Sequence, residues 1–84
     1  MIIAIDYDRT YTRAPDMWAA FGASCIAQGH EVVTVTKRRP DESIDVPWTV
    51  HYTSRTAKGR YVVERGLRVD VWVDDDPMSV YENG

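Results

Sequence analysis

Cysteine is scarce in this sequence: Cys25 is the only one among 84 residues. One cysteine cannot form an internal disulfide, whereas small domains in oxidising compartments usually depend on several. The chain is also near the lower length limit at which a single hydrophobic core is stable by itself. We therefore predict one domain over residues 1–84, working in the reducing environment of the cytoplasm.

Long hydrophobic runs and an excess of positive charge are missing as well. No stretch reaches the roughly 18 apolar residues of a membrane span, and MIIAIDYD lacks the basic leader and small-residue cleavage site of a signal peptide. The net charge of −3 argues against general binding along nucleic acid. The glycine motifs of phosphate-binding and dinucleotide-binding loops are absent, as is any zinc pattern. We expect no membrane partner.

What the chain does contain is a series of short runs of β-branched and apolar residues. These runs predict four strands, at residues 2–7, 31–38, 48–54 and 68–73. Proline and glycine delimit two helices between them, from Pro15 to Gly29 and from about Thr56 to Arg65, closed by Gly66.

Two further segments complete the predicted organisation. Asp76 and Pro77 are a plausible cap and first position for a short terminal helix, and the polar stretch 37–47 has room for at most one helical turn, around residues 41–44. The order strand, helix, strand predicts a right-handed crossover and hence parallel strands. The expected fold is a small three-layer, Rossmann-like α/β domain with a four-stranded parallel sheet, whose ligands bind beyond the carboxyl ends of the strands.

Acidic side chains gather at that predicted edge of the sheet. Asp6, Asp8 and Thr10 alternate after the first strand, so they should project to one side. Three more carboxylates follow the fourth strand: Asp74, Asp75 and Asp76. Up to five carboxylates at one edge would repel each other, and we expect a hard cation with oxygen ligands, Mg²⁺, to hold them together.

Cations also follow the predicted strands and begin the second helix. Lys58 lies in the first turn of that helix, where its charge opposes the helix dipole, so a nearby anion would account for it. Thr36 ends the second strand and should face the same place. The basic run 37–40 follows directly and either is simply solvated or attracts a polyanionic substrate.

Taken in order, these features resemble the four signature motifs of the haloacid dehalogenase-like (HAD) superfamily. IAIDYDRT resembles the first motif, Asp-x-Asp-x-Thr after an apolar strand, with Arg9 where a small residue is usual. VVTVT resembles the second, which ends in Thr or Ser, and Lys58 resembles the lysine of the third. VWVDDDP resembles the acidic pair of the fourth. The resemblance extends from Ile2 to about Pro77.

This resemblance implies a Mg²⁺-dependent phosphomonoester hydrolase that works through an aspartyl-phosphate intermediate. Asp6 resembles the nucleophile, and Asp8 resembles the general acid and base. Thr36 would hydrogen-bond the transferring phosphoryl group, and Lys58 would pair with its charge and that of the nucleophile.

The resemblance also assigns metal ligands and a topology. The expected Mg²⁺ ligands are Asp6, the backbone carbonyl of Asp8, Asp74 and Asp75. The residues expected to contact the substrate, a phosphorylated small molecule or a nucleic-acid end, are Thr10, Arg9, Lys37 and Arg38. The expected fold is HAD-like, with strand order 3-2-1-4 and no cap.

The predicted lack of a cap has a consequence for assembly. The two positions where HAD enzymes usually insert one, residues 7–15 and 37–47, are short here. A single subunit would leave its site open to water, so a large substrate or a neighbouring subunit should cover it. With three tryptophans and five tyrosines available for an interface, we predict a homo-oligomer, most simply a dimer. Residues 37–40 or the aromatic residues near Trp48 should border the site.

Other interpretations of the same residues stay open. A calcium loop of the EF-hand type would need Gly and Glu where Tyr11 and Met17 stand, and a receiver domain would place its acidic pair first. The site could belong to a binding module that holds a phosphorylated ligand without hydrolysing it, or the acids could form a solvated rim of an interaction protein. Trp48 and Tyr52 could stack a base. The presence of both carboxylates of the first motif favours the enzyme.

Overall fold

The computed structural model describes residues 1–84 and has the predicted order of strands and helices. The strands are β1 (Ile2–Ile5), β2 (Glu31–Thr36), β3 (Thr49–Tyr52) and β4 (Val71–Val73). The helices are α1 (Pro15–Ala27) and α2 (Lys58–Glu64), and short 3-10 helices cover Tyr11–Arg13 and Pro77–Tyr81. All strand pairs are parallel and the order across the sheet is β3-β2-β1-β4, which confirms the predicted topology.

The two helices cover opposite faces of this sheet, so the domain has three layers. Successive side chains of a strand point to opposite faces. On the α1 face the core contains Ile3, Ile5 and Val32, packed against Trp18 and Cys25. On the α2 face it contains Ala4, Val33 and Val35, packed with Val62. Because β1 and β2 are buried on both faces, their sequences are continuous apolar runs rather than alternating ones.

Several element boundaries differ from the prediction. β1 ends at Ile5 because the chain turns immediately afterwards, where the Tyr11 N–H donates to the Asp6 carbonyl at 3.2 Å. β4 begins only at Val71, since the chain bends at Asp70, whose carboxylate accepts the Ile2 N–H at 2.8 Å. Residues 37–47 contain a turn and no helix.

The predicted helix ends are mostly confirmed. Gly29 and Gly66 follow α1 and α2 with φ of +87° and +68°, the left-handed conformation that glycine adopts without strain. Asp76 and Pro77 occupy the N-cap and first positions of the terminal 3-10 helix, as predicted, but the Asp76 side chain makes no capping hydrogen bond. Asp76 instead donates its N–H to Asp74 Oδ1 at 2.9 Å, which draws it towards the end of β4.

Helix α1 packs on Trp48 and leaves its outer face exposed. A Cβ atom on Gly22 would lie 2.2 Å from the Trp48 ring, so this close approach requires glycine. Met17, Phe21 and Ile26 of this helix are 56%, 43% and 49% exposed. Although α1 is apolar, neither it nor α2 has the length and hydropathy needed to cross a membrane.

Candidate active site

A polar cavity lies at the carboxyl edge of the sheet. Its volume is about 170 Å³, and none of its 12 lining residues is hydrophobic. The acids are Asp6, Asp8, Asp74, Asp75 and Asp76. The basic residues are Arg9, Lys37, Arg38, Arg55 and Lys58, and the hydroxyls are those of Thr36 and Ser79. The five aspartates expected at this edge are therefore brought together, as are all the other predicted site residues except Thr10.

Lys58 is the buried centre of this cavity. Its side chain is only 5% exposed, and Nζ donates to Asp6 Oδ1 at 2.7 Å and to Asp74 Oδ2 at 2.8 Å. Burial alone would lower the pKa of Lys58, but its hydrogen bonds and charge pairing with Asp6 and Asp74 raise it above the ordinary value. The ammonium is thus firmly protonated, and these two carboxylates account for a cation at the start of α2.

Three carboxylates form a compact cluster beside Lys58. One oxygen from each of Asp6, Asp74 and Asp75 lies within 4.8 Å of the others. Burial, partly offset by Lys58, raises the pKa of Asp6. Burial would also raise the pKa of Asp75, but hydrogen bonds with the Asp6 carboxyl and the Thr10 hydroxyl leave it below the ordinary value. Asp6 is therefore the member of the cluster whose charged form burial disfavours.

Thr10 supports this cluster rather than lining the cavity. It is 7% exposed, its hydroxyl lies 3.1 Å from Asp6 Oδ2 and 3.2 Å from Asp75 Oδ1, and it accepts the Asp75 N–H at 3.1 Å. The expected contact of Thr10 with substrate is therefore not seen. The alternation expected after β1 also fails, because the chain turns at Tyr7; the turn itself brings Thr10 back to Asp6.

The donor set fits a divalent cation with oxygen ligands. Asp6, Asp74 and Asp75 together carry three negative charges against one on Lys58, and Arg9 adds only a longer contact of 3.4 Å to Asp75. About two negative charges are left to neutralise, and carboxylate oxygens with room for water are the ligands that Mg²⁺ takes in proteins. A solvated rim does not describe these residues, since the Asp74 side chain is only 3% exposed.

Asp8 lies in the cavity but outside the carboxylate cluster. Its two oxygens accept hydrogen bonds from Arg38 Nε at 3.0 Å and Nη2 at 2.8 Å. The Arg38 hydrogen bond lowers the pKa of Asp8, against a smaller opposing effect of burial. The guanidinium also lies 5.3 Å from the centre of the Tyr7 ring. The side chain of Asp8 is thus separate from the potential metal ligands and is held by the Arg38 guanidinium.

The backbone around the cavity is unusual at three residues. Arg9, Ser54 and Arg55 have φ of +64°, +52° and +70°, a region that residues other than glycine seldom occupy. Arg9 stands where the first motif usually has a small residue, and its left-handed φ gives a physical reason for that preference. Local bonds compensate, since the Arg9 N–H donates to Thr12 Oγ1 at 3.0 Å.

The sequence interpretation missed two residues of the cavity and misplaced two others. Ser79 carries no recognisable signal, because only the terminal 3-10 helix brings it to the edge of the sheet. The sequence indicated Arg55 only as a neighbour of Lys58 and not as a residue of the cavity. Trp48 and Tyr52 do not line the cavity: the Trp48 Nε1–H donates to Thr34 Oγ1 at 2.8 Å, and the Tyr52 hydroxyl accepts the Ile44 N–H. They offer no base-stacking surface there.

Comparison with known proteins finds no match to a family model, to a curated protein or to a solved structure.

Proposed function

We propose that this protein is a Mg²⁺-dependent phosphomonoester hydrolase of the HAD type that forms an aspartyl-phosphate on Asp6 in the cytoplasm. The observation that carries the proposal is the bonding of Lys58 Nζ to Asp6 and Asp74 at 2.7 and 2.8 Å, beside Asp75. A buried ammonium shared by a nucleophile and a metal-binding carboxylate suits a site that must accept a dianionic phosphoryl group. A purely structural ion pair would not need the third carboxylate.

In the proposed first step, a carboxylate oxygen of Asp6 forms a bond to phosphorus while the bond from phosphorus to the ester oxygen breaks. The leaving alkoxide takes a proton from Asp8. In the second step Asp8 takes a proton from water, whose oxygen attacks phosphorus and releases phosphate from Asp6. Lys58 and Thr36 bind the phosphoryl oxygens, where charge lies in the transition state.

Mg²⁺ would be held by Asp6, Asp74, Asp75 and the backbone carbonyl of Asp8, and when bound it supplies charge neutralisation for the phosphoryl oxygens. Asp8 is suited to proton transfer because its side chain takes no part in the carboxylate cluster. For Asp8 to donate a proton, its two hydrogen bonds from Arg38 must first be released.

That same pair of hydrogen bonds favours one alternative function. A protein that binds a phosphorylated ligand without hydrolysing it would need no free acid or base, and Arg38 could hold Asp8 permanently. Such a module would still use Lys58, Thr36 and a metal ion to hold the phosphoryl group. The two functions therefore differ in turnover and not in ligand chemistry.

The deciding experiment measures phosphate release from phosphorylated metabolites, nucleotides and oligonucleotide ends, with Mg²⁺ and with a chelator. Asp6→Asn is nearly isosteric, and we expect it to lower kcat by at least about 1,000-fold because it removes the nucleophile. Asp45→Asn, an exposed acid outside the cavity, is the matched control. Beryllium fluoride should bind only when Asp6 is present.

Titration calorimetry with Mg²⁺ separates the metal ligands from the acid and base. Asp74→Asn and Asp75→Asn should weaken Mg²⁺ binding, whereas Asp8→Asn should retain it and lose turnover, because the proposed contact there is a backbone carbonyl. Substantial hydrolysis by Asp6→Asn would refute the covalent mechanism. Mg²⁺-dependent binding of phosphorylated compounds with no hydrolysis of any of them would favour the binding module.

We propose in addition that the protein acts as a homodimer. The support is a shallow apolar depression between α1 and the start of β3, lined by Ala19, Ala23, Ile26, Ala27, Pro47 and Trp48. Burying such side chains between two copies removes apolar surface from water. A second subunit could then help to cover a cavity that this short chain leaves open.

A further inference from the structure

Three of the five cations in the polar cavity follow different strands from its carboxylates. The carboxylates follow β1 and β4: Asp6, Asp8, Asp74, Asp75 and Asp76. Lys37 and Arg38 follow β2, and Arg55 follows β3, so these three cations lie on the other side of the sheet order β3-β2-β1-β4. The cavity therefore has an acidic half, where the proposed metal and nucleophile lie, and a basic half beside it.

Lys37 is the unpaired member of the basic half. The other cations of the cavity all have a carboxylate within 4.0 Å: Arg9 has Asp75, Arg38 has Asp8, Arg55 has Glu42, and Lys58 has Asp6 and Asp74. Lys37 lines the same cavity, is half-buried, and has no carboxylate or hydrogen-bond acceptor for its ammonium. The apolar stem of Lys37 lies against Gly84, and an ammonium without a partner is available to an incoming anion.

The backbone that carries these cations is held firmly. Beyond the ends of the strands, the Thr53 N–H donates to the Thr36 carbonyl at 2.8 Å and the Ser54 N–H to the Arg38 carbonyl at 3.2 Å. Arg55 donates both its N–H, at 2.8 Å, and its Nη1–H, at 3.1 Å, to the Lys37 carbonyl. These bonds hold the left-handed turn at Ser54 and Arg55 and bring the backbone of Lys37, Arg38 and Arg55 together on one ledge, so this backbone arrangement is present before any ligand arrives.

We infer that the basic half binds a second anionic group of the substrate, so that the substrate is a phosphate monoester that also carries another phosphate or a carboxylate. This inference rests on the proposed function, which puts the reacting phosphoryl group in the acidic half. A cavity without a hydrophobic lining residue offers nothing to an apolar leaving group, whereas Lys37, with Arg38 and Arg55 behind it, offers positive charge.

The alternative would use a neighbouring depression on the acidic side. It has a volume of about 380 Å³, and its walls include Met17, Trp18 and Val73 together with Arg9 and Asp75. An apolar leaving group would fit there instead. The two possibilities predict different substrates, because only the first depends on Lys37.

The test compares matched substrates in the wild type and in Lys37→Gln. Fructose monophosphate and fructose bisphosphate differ by one phosphate, and glycerol phosphate and phosphoglycerate by one carboxylate. An end-phosphorylated thymidine dinucleotide differs from thymidine monophosphate by one thymidine and the internucleotide phosphate that joins it. Nitrophenyl phosphate represents an apolar leaving group. Arg68→Gln, which removes a 91% exposed cation outside the cavity, controls for net charge.

We expect the second anion to raise kcat/KM by about tenfold, the size of one charge-assisted contact. Lys37→Gln should remove this preference, so that the ratio of kcat/KM within each pair falls to about one. Lys37→Arg should retain it, and Arg68→Gln should resemble the wild type. Added salt should reduce the preference because Lys37, Arg38 and Arg55 are partly exposed and salt screens their charges.

A binding measurement separates this inference from the catalytic proposal. Calorimetry with Asp6→Asn and with Asp6→Asn/Lys37→Gln reports fructose bisphosphate binding without turnover. If no compound is hydrolysed but the bisphosphate binds and Lys37→Gln weakens its binding, the second-anion site stands and the catalytic proposal fails.

If hydrolysis occurs with equal kcat/KM within each pair, or is fastest with nitrophenyl phosphate and unaffected by Lys37→Gln, the inference is overturned and the catalytic proposal stands. A preference confined to the dinucleotide, lost in Lys37→Gln, supports the inference and identifies a nucleic-acid end as the source of the anion.

Discussion

Asp8 and Arg38 form the residue pair whose contribution to stability depends most directly on pH. The two Arg38 hydrogen bonds lower the pKa of Asp8 in the folded protein from its ordinary value of 3.8. Because the folded pKa is below the unfolded one, the pair stabilises the fold at pH values above 3.8. This contribution is lost as the pH falls through the lowered pKa and Asp8 becomes protonated.

Replacing Arg38 should therefore change both the pKa of Asp8 and the pH dependence of stability. In metal-free Arg38→Gln we expect the pKa of Asp8 to rise towards its ordinary value, followed by carboxyl-carbon NMR shifts. The free energy of unfolding in urea at neutral pH should fall by at most about 1 kcal/mol, because the Asp8 side chain is half exposed and water screens the pair. The difference in the free energy of unfolding between Arg38→Gln and the wild type should disappear at acidic pH, where Asp8 is protonated in both proteins. Arg13→Gln, which removes an exposed cation without an ion pair, should change neither quantity; an unaltered Asp8 pKa in Arg38→Gln would contradict this account.

At the scale of elements, the start of α2 depends on a residue from the other end of the chain. Ala57 occupies the position before the helix and has no side-chain acceptor, so the helix has no cap of its own. The Ala57 N–H donates instead to Asn83 Oδ1 at 2.8 Å, and the Gly84 N–H donates to the Arg55 carbonyl at 2.8 Å. Because Lys58 follows Ala57 directly, Asn83 helps to fix the position of the central ammonium.

Loss of this acceptor should destabilise the start of α2. We expect Asn83→Ala to lower the free energy of unfolding by about 1 kcal/mol, the usual cost of losing a capping side chain, and to speed hydrogen exchange at the Ala57 amide. Asn83→Asp keeps an oxygen acceptor at the same place and is the matched control. Unchanged exchange at Ala57 in Asn83→Ala would show that the bond does not support the helix.

At the scale of the whole molecule, α1 is the helix with the most exposed large apolar side chains. Its inner side packs on the sheet, and Met17, Phe21 and Ile26, on the flanks of the helix, are exposed to solvent. After Asp16 the helix has no charged residue. A shallow apolar depression of about 460 Å³ between Ile26 and Trp48 continues this surface. Contiguous apolar surface of this kind is uncommon on monomers and is typical of interfaces.

The proposed dimer should therefore depend on this face. Sedimentation velocity over a range of concentrations should show a dimer for the wild type and a monomer for Ala23→Gln/Ile26→Gln, because two polar side chains would have to be buried in the interface. Val63→Gln, on α2 and 77% exposed, changes an apolar residue on the opposite layer and should leave the dimer intact. A wild type that stays monomeric at high concentration would remove the support for a dimer.

The sequence by itself determined the order of elements, the parallel sheet and the meeting of Asp6, Asp8, Thr36, Lys58 and Asp74 at one edge. It could do so because the period and length of apolar runs identify strands and helices, and parallel strands bring their carboxyl ends together. The tertiary structure alone decided which charges are paired. Arg38 holds Asp8 across 30 residues, Thr10 joins Asp75 across 65, and Ala57 meets Asn83 across 26. These contacts, and the freedom of Lys37, follow from the conformations of turns and from packing between distant segments, which no local pattern of residues encodes.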